Sequence, residues 1–142
     1  MTDTTIRLAT PEDLTALLAM ATAFADERGL DAPRDADDLM RRLFIAPGCR
    51  VLVARRGAEV VGHAVMRLDS DTGRAGFDLT ELFVTPAQRG QGTGRRLIAA
   101  ARALTEAEGQ VRLRLRNLPG ARGPSALRLG ETPAISRAGY AA

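Results

Sequence analysis

Lysine and tryptophan are absent from this 142-residue chain, and tyrosine, histidine and cysteine occur once each. Without lysine there is no Walker-type phosphate loop, which needs Gly-Lys followed by Ser or Thr. A lone cysteine, Cys49, excludes an intrachain disulfide and makes a reducing compartment the expected setting. One histidine and one cysteine are too few for a metal centre, so no metal is expected. Aromatic residues make up 4% of the chain, too little for a stacking platform on single-stranded nucleic acid. All twenty basic residues are arginines, spread along the chain and not gathered into a tail, and no nucleic-acid partner is expected. No apolar run approaches the roughly 20 residues that span a bilayer. The opening Met-Thr-Asp-Thr-Thr-Ile-Arg lacks the basic and apolar regions of a signal peptide. The expectation is a cytoplasmic protein with no membrane contact.

What is present reads as one soluble domain over residues 1–142, 45% apolar and 26% charged. A net charge of +3 suits a polyanionic small ligand. The pattern predicts a strand at 5–9, then a helix opened by Thr10 as cap, Pro11 in the first turn and Asp13 closing a capping box. Leu14, Leu17, Leu18, Ala21 and Ala25 form its buried stripe, and Gly29 ends it. A second helix is expected over 36–45, stopped by Pro47-Gly48. Strands follow at 51–54, 60–68 and 77–84, then a long amphipathic helix over 92–108. Residues 111–116 alternate, which predicts Val111, Leu113 and Leu115 facing the core and three arginines facing out. Beyond Asn117 the signal weakens among Pro119, Gly120, Gly123 and Pro124. A short helix at 125–129 and an edge strand at 133–140 are the expectations there.

The most informative stretch is Glu81-Leu-Phe-Val-Thr-Pro-Ala-Gln-Arg-Gly-Gln-Gly-Thr-Gly-Arg-Arg-Leu-Ile98. A short apolar strand runs through a glycine-dense turn into a helix. The first amides of a helix lack intrahelical partners and carry the positive end of its dipole, which suits phosphate. Gly90, Gly92 and Gly94 keep Cβ atoms away from that approach, and Arg89 and Arg95 bracket it with charge suited to a diphosphate. A dinucleotide fingerprint fails, because Leu97 stands where its third glycine belongs.

R-x-x-G-x-G, here Arg89 to Gly94, with Leu-Phe-Val-x-Pro before it and an apolar helix after it, resembles the acyl-CoA-binding motif of the GNAT superfamily of N-acyltransferases. The element order β-α-α-β-β-β-α-β-(α)-β is similar to theirs, and Val60-Val-Gly-His-Ala64 looks like their third strand. The resemblance implies an α/β (α+β) fold: a mixed, mostly antiparallel sheet flanked by helices and splayed between strands 4 and 5. It implies acetyl-CoA as acyl donor and transfer to a primary amine, on a small molecule or a peptide, by direct attack in a ternary complex. Leu82, Phe83 and Val84 would pair through their backbone with the pantetheine arm. Amides across Arg89, Gly90, Gln91, Gly92, Thr93 and Gly94, with Arg95 beside them, would hold the diphosphate. Asn117 matches the asparagine that approaches the pantetheine.

Attack on a thioester needs an uncharged amine, and Glu81 is the expected base, directly or through water. Its alternative is a carboxylate that only pairs with an arginine. Family members carry a tyrosine about seven residues after the asparagine as general acid, but Pro124 stands there. Ser125 is the nearest replacement, the sole tyrosine being Tyr140. This departure keeps open a second reading, an acyl-CoA-binding regulatory module or weakly active pseudoenzyme. His63 is expected to be a packed or hydrogen-bonded side chain in preference to a base. Asp31, Asp35, Asp37 and Asp38 are either favourable charge at a helix start or a site for a cationic amine. An exposed last strand could pair in a homodimer.

Overall fold

One sheet with two apolar faces organises the molecule, and each face takes its own helices. The computed structural model describes residues 3–69 and 76–116 and the backbone of residues 125–128. The order is β1 (Thr4–Leu8), a 3-10 turn (Pro11–Asp13), α1 (Leu14–Arg28), α2 (Ala36–Met40) running into a π turn (Arg41–Ile45), β2 (Cys49–Arg56), β3 (Glu59–Leu68), β4 (Phe77–Val84), a second 3-10 turn (Pro86–Gln88), α3 (Thr93–Ala107), β5 (Arg112–Leu115) and β6 (Ser125–Arg128). The six strands lie side by side in chain order, antiparallel except for β4 and β5, which are parallel. This is the mixed, mostly antiparallel sheet that was expected. A parallel neighbour needs a crossover, and α3 supplies it.

Local chemistry sets the helix ends. The Thr10 amide donates to Asp13 Oδ2 at 2.8 Å, and Gly29 closes α1 at φ +65 with its N–H on the Ala25 carbonyl. Asp35 caps α2 by accepting the Asp38 amide at 2.8 Å. The expected helix over 36–45 is present, but its last turn widens: Ala46 N–H reaches the Arg41 carbonyl, five residues back, at 2.8 Å.

Leu17, Met20, Ala21 and Phe24 of α1 pack with Leu39, Leu43, Val51, Val53, Val65 and Phe83 on one face. Leu97, Ile98 and Ala101 of α3 cover the other, against Ala64, Met66, Phe77, Leu79, Leu113 and Leu115 among others. Each fully buried side chain of this size stabilises the fold by about 1.5–3 kcal/mol relative to exposure.

Two expectations need correction. Val111 does not face the core; it is 65% exposed, because β5 begins only at Arg112, while Leu113 and Leu115 are fully buried as expected. Residues 125–128 form no helix but strand β6, with Ser125 opposite Leu115. Pairing along the outer edge of β5 satisfies backbone groups that a helix would leave unpartnered there, so tertiary context overrides the propensity of Ser-Ala-Leu-Arg. The edge strand expected at 133–140 lies outside the described residues.

Candidate active site

The site begins with a bulge. Val65 pairs with Glu81 and Met66 with Leu79, so Thr80 is an extra residue on β4 without a cross-strand partner. Its hydroxyl donates to the Val65 carbonyl at 3.4 Å. The insertion reverses the alternation of side chains. Phe77 and Leu79 point toward α3, and simple alternation would send Glu81 after them; instead Glu81 stands opposite Val65, on the face of α1 and α2.

At the same point β4 leaves β5. The parallel ladder runs only from Phe77 to Leu79, and the Arg116 amide on the Leu79 carbonyl, at 2.9 Å, is its last bond. From Thr80 to Val84 that side of β4 has no strand partner among the described residues. Thr85 N–H donates to the Val61 carbonyl at 2.9 Å, and the antiparallel alternation then turns the N–H and C=O groups of Leu82 and Val84 away from β3, into the gap. Phe83 is not one of the gap-facing residues. Its backbone belongs to the β3 ladder opposite His63, and its ring packs with α1, which corrects its expected pairing with the pantetheine. The Val84 carbonyl already accepts from Arg89 Nε at 2.7 Å. Both Leu82 groups and the Val84 amide therefore remain for an incoming extended chain.

Beyond β4 the turn crosses Gly90 and Gly92 at φ +81 and +83. A Cβ at either would meet no protein atom within 4 Å, so left-handed backbone, not internal crowding, requires glycine here. None of the amides of residues 90–95 donates to another described residue, whereas the Arg89 amide is taken by the Pro86 carbonyl at 3.3 Å. Arg95 has no ion pair among the described residues, and its Nε is buried without a partner. Amides unpaired among the described residues at a helix start, followed by an arginine with no ion pair there, suit a diphosphate, although Thr93 and Gly94 are themselves buried. Arg89 is engaged elsewhere: its guanidinium pairs with Glu27 of α1 at 2.9 Å and lies 5.2 Å over the Phe83 ring. Arg56, unremarked in the sequence, donates from one Nη1 to both Gln88 and Gln91 Oε1 at 2.8 Å, tying the turn to the end of β2.

Residues 47–128 match the acetyltransferase (GNAT) domain family. The chain belongs to the GNAT acetyltransferases. It is 37% identical over 114 residues to the aminoglycoside N(6')-acetyltransferase type 1 of Stenotrophomonas maltophilia, covering 74% of this chain and 69% of that protein. Its fold is shared with a GNAT family acetyltransferase from Brucella melitensis in complex with acetyl-CoA (21% identity, TM-score 0.72, covering 94% of this chain and 93% of that one). A ribosomal-protein-alanine N-acetyltransferase from Brucella melitensis biovar Abortus 2308 also shares it, at 20% identity and a TM-score of 0.69, over 82% of this chain and 84% of that one. This acetyltransferase is an N-acetyltransferase, and its gap, unpaired amides and Arg95 are suited to an extended donor that carries a diphosphate.

On the face covered by α1 and α2, Glu81 Oε2 lies 2.9 Å from His63 Nε2. His63 is fully buried, and its Nδ1 has no partner among the described residues. No arginine pairs with Glu81 among the described residues, as the alternative to a base would have it; its partner is His63. Nearby, burial pushes the Cys49 thiol above its ordinary range, with Arg67 lowering it and Glu81 raising it further. Among the four acids of the second helix region, Asp35 is a cap, and Asp38 accepts from the Arg34 amide and Arg42, interactions that hold its carboxyl below the ordinary range. Asp31 and Asp37 are exposed. Asn117 and Tyr140 lie outside the described residues, as does the Ser125 side chain. No helix among the described residues is long and apolar enough to cross a membrane.

Proposed function

We propose that this N-acetyltransferase acts on a primary amine of a small cationic molecule, an amino sugar being the leading class, with Glu81 as general base. Its strongest support is the carboxylate itself. Glu81 sits one residue before the gap-facing backbone of Leu82, on the face covered by α1 and α2, and a bulge is required to turn it there. An ammonium group that reaches this face gives a proton to Glu81, directly or through water, and the free amine attacks the thioester carbonyl in a ternary complex. The relative at 37% identity acts, by its name, on aminoglycosides, and exposed Asp31 and Asp37 at the approach to α2 favour a cationic acceptor. Ser125 remains the proposed donor of a proton to the departing thiolate. The diphosphate is held by the amides of residues 90–95 with Arg95, and the pantetheine pairs with Leu82 and Val84.

Thiol release from acetyl-CoA across a panel of amino sugars, polyamines and peptide N-termini tests the acceptor. Turnover of amino sugars and none of peptides is expected; preference for peptides overturns that part of the reading. Glu81→Gln is expected to lower kcat by about 10²- to 10⁴-fold and to remove the acid limb of the pH–rate profile. An unchanged profile rules Glu81 out as the base. Binding of acetyl-CoA without turnover of any amine in the panel would favour the regulatory-module reading instead.

A further inference from the structure

We propose that His63 is a positioning residue for Glu81, a role that rests on Glu81 being the base. The two side chains come from neighbouring strands and meet at 2.9 Å, Nε2 to Oε2. An ionised carboxylate only accepts hydrogen bonds, so the bonding pattern assigns the hydrogen to Nε2, which donates to Oε2. The opposite nitrogen, Nδ1, is buried with no partner among the described residues, and the imidazole is fully enclosed with its ring 6.2 Å from that of Phe83. A ring held this tightly has one orientation. It fixes the plane of the Glu81 carboxylate, occupies Oε2, and leaves Oε1 as the atom free to receive a proton. In the transfer step the ammonium N–H bond breaks and an O–H bond forms at Oε1. The amine keeps its electron pair for attack on the thioester, and the Nε2–H of His63 stays in place.

The charged surroundings are few. From β2 and β3 come Cys49 and Arg67, both within electrostatic range of this corner, and Arg67 is tied to the Arg42 carbonyl at 3.1 Å. From α1 the packed side is apolar (Leu17, Met20, Ala21, Phe24), and its terminal Glu27 is paired with Arg89. From α2, Asp38 is paired with Arg42.

Without the donor the carboxylate is free to turn, and its proton-accepting atom is no longer held toward the amine. His63→Phe keeps the bulk and deletes the donor. The rate at the pH optimum is expected to fall about 10- to 100-fold, the loss that corresponds to a hydrogen bond to a charged group. The KM for acetyl-CoA is expected to stay constant while kcat falls. His63→Gln, which presents an N–H at similar reach, is expected to restore the rate. Because His63 is the only histidine, its ring nitrogens give unambiguous 15N NMR signals in the wild-type protein, with the Nε2–H tautomer expected. This second readout stands even if His63→Phe fails to fold. An Nδ1–H tautomer with bare Nε2, or kcat unchanged in His63→Phe, overturns the proposal. Glu81→Gln separates the two failures. An unchanged profile in that variant removes the base, and His63's role with it. A limb lost in Glu81→Gln with kcat unchanged in His63→Phe overturns only the role of His63.

Discussion

Asp13 is a buried carboxylate that receives both Nη groups of Arg7, at 2.8 and 2.9 Å, and the Thr10 amide. Arg7 and then the Thr10 amide hold its carboxyl below the ordinary range, against desolvation. The folded protein therefore binds this proton less readily than the unfolded chain. The stabilisation is fully present above the unfolded value, near 4, and is lost as pH falls through the lower folded value. Asp13→Asn is expected to destabilise by about 1–2 kcal/mol at pH 7, the size of a lost helix cap, since partial exposure of Arg7 limits what the ion pair adds. Urea denaturation of both proteins at pH 7 and pH 3 checks it: the difference should shrink at the lower pH, and a constant difference would count against the assigned cause. Gly62 makes another point at this scale. A Cβ there would lie 2.8 Å from the Phe83 carbonyl oxygen, a backbone atom that cannot step aside alone. Gly62→Ala should therefore cost about 1–3 kcal/mol, measured by the same denaturation, and lower activity by shifting β4.

At the scale of elements, the turn from β4 to α3 was legible because its needs are local. Gly90 and Gly92 supply positive φ, Pro86 shapes the first turn, and Leu97 with Ala101 marks the buried stripe of α3. The bulge at Thr80 was not legible, since Phe77 to Val84 reads as one uninterrupted strand and only pairing with β3 reveals the extra residue. For the same reason Glu81 could be named without its face or its partner, and Phe83 could be assigned to the cofactor though its backbone belongs to β3. Strand β6 escaped because its pairing with β5 is a matter of edges, not of sequence period. Arg56 carried no signal either: a surface arginine at a hairpin says nothing about the two glutamines, 32 and 35 positions later, that it grips. Arg56→Ala should free the turn and raise the KM for acetyl-CoA about 5-fold, roughly 1 kcal/mol, with kcat nearly unchanged. Steady-state kinetics with varied acetyl-CoA would show it, and an unaltered KM would mean the turn holds its shape without that latch.

Across the whole molecule, the two faces of the sheet divide the labour. The α3 face, with the parallel β4–β5 pair, opens the gap and aims the helix start at it, where ligands of parallel sheets collect beyond the strand ends. The α1 and α2 face holds Glu81 and His63, the pair proposed above to serve the amine. β2, β3 and β4 each send alternate side chains to both faces, and β4 also carries the open backbone groups of the gap, so a donor bound along it would touch both halves. Acetyl-CoA at about 100 times its Kd should then stabilise the folded state by about 2.7 kcal/mol, seen as a rise in Tm of several degrees for a chain of this size. Two arms separate the contributions. Acetyl-pantetheine, which keeps the strand-pairing arm and lacks the diphosphate, should give a much smaller rise at equal concentration. The acetyl-CoA shift should also decline as sodium chloride rises from 0.05 to 0.5 M, roughly, because charge attraction at an exposed turn is screened. Equal shifts for the two donors, insensitive to salt, would place the binding energy in the gap alone and leave the glycine turn a connector.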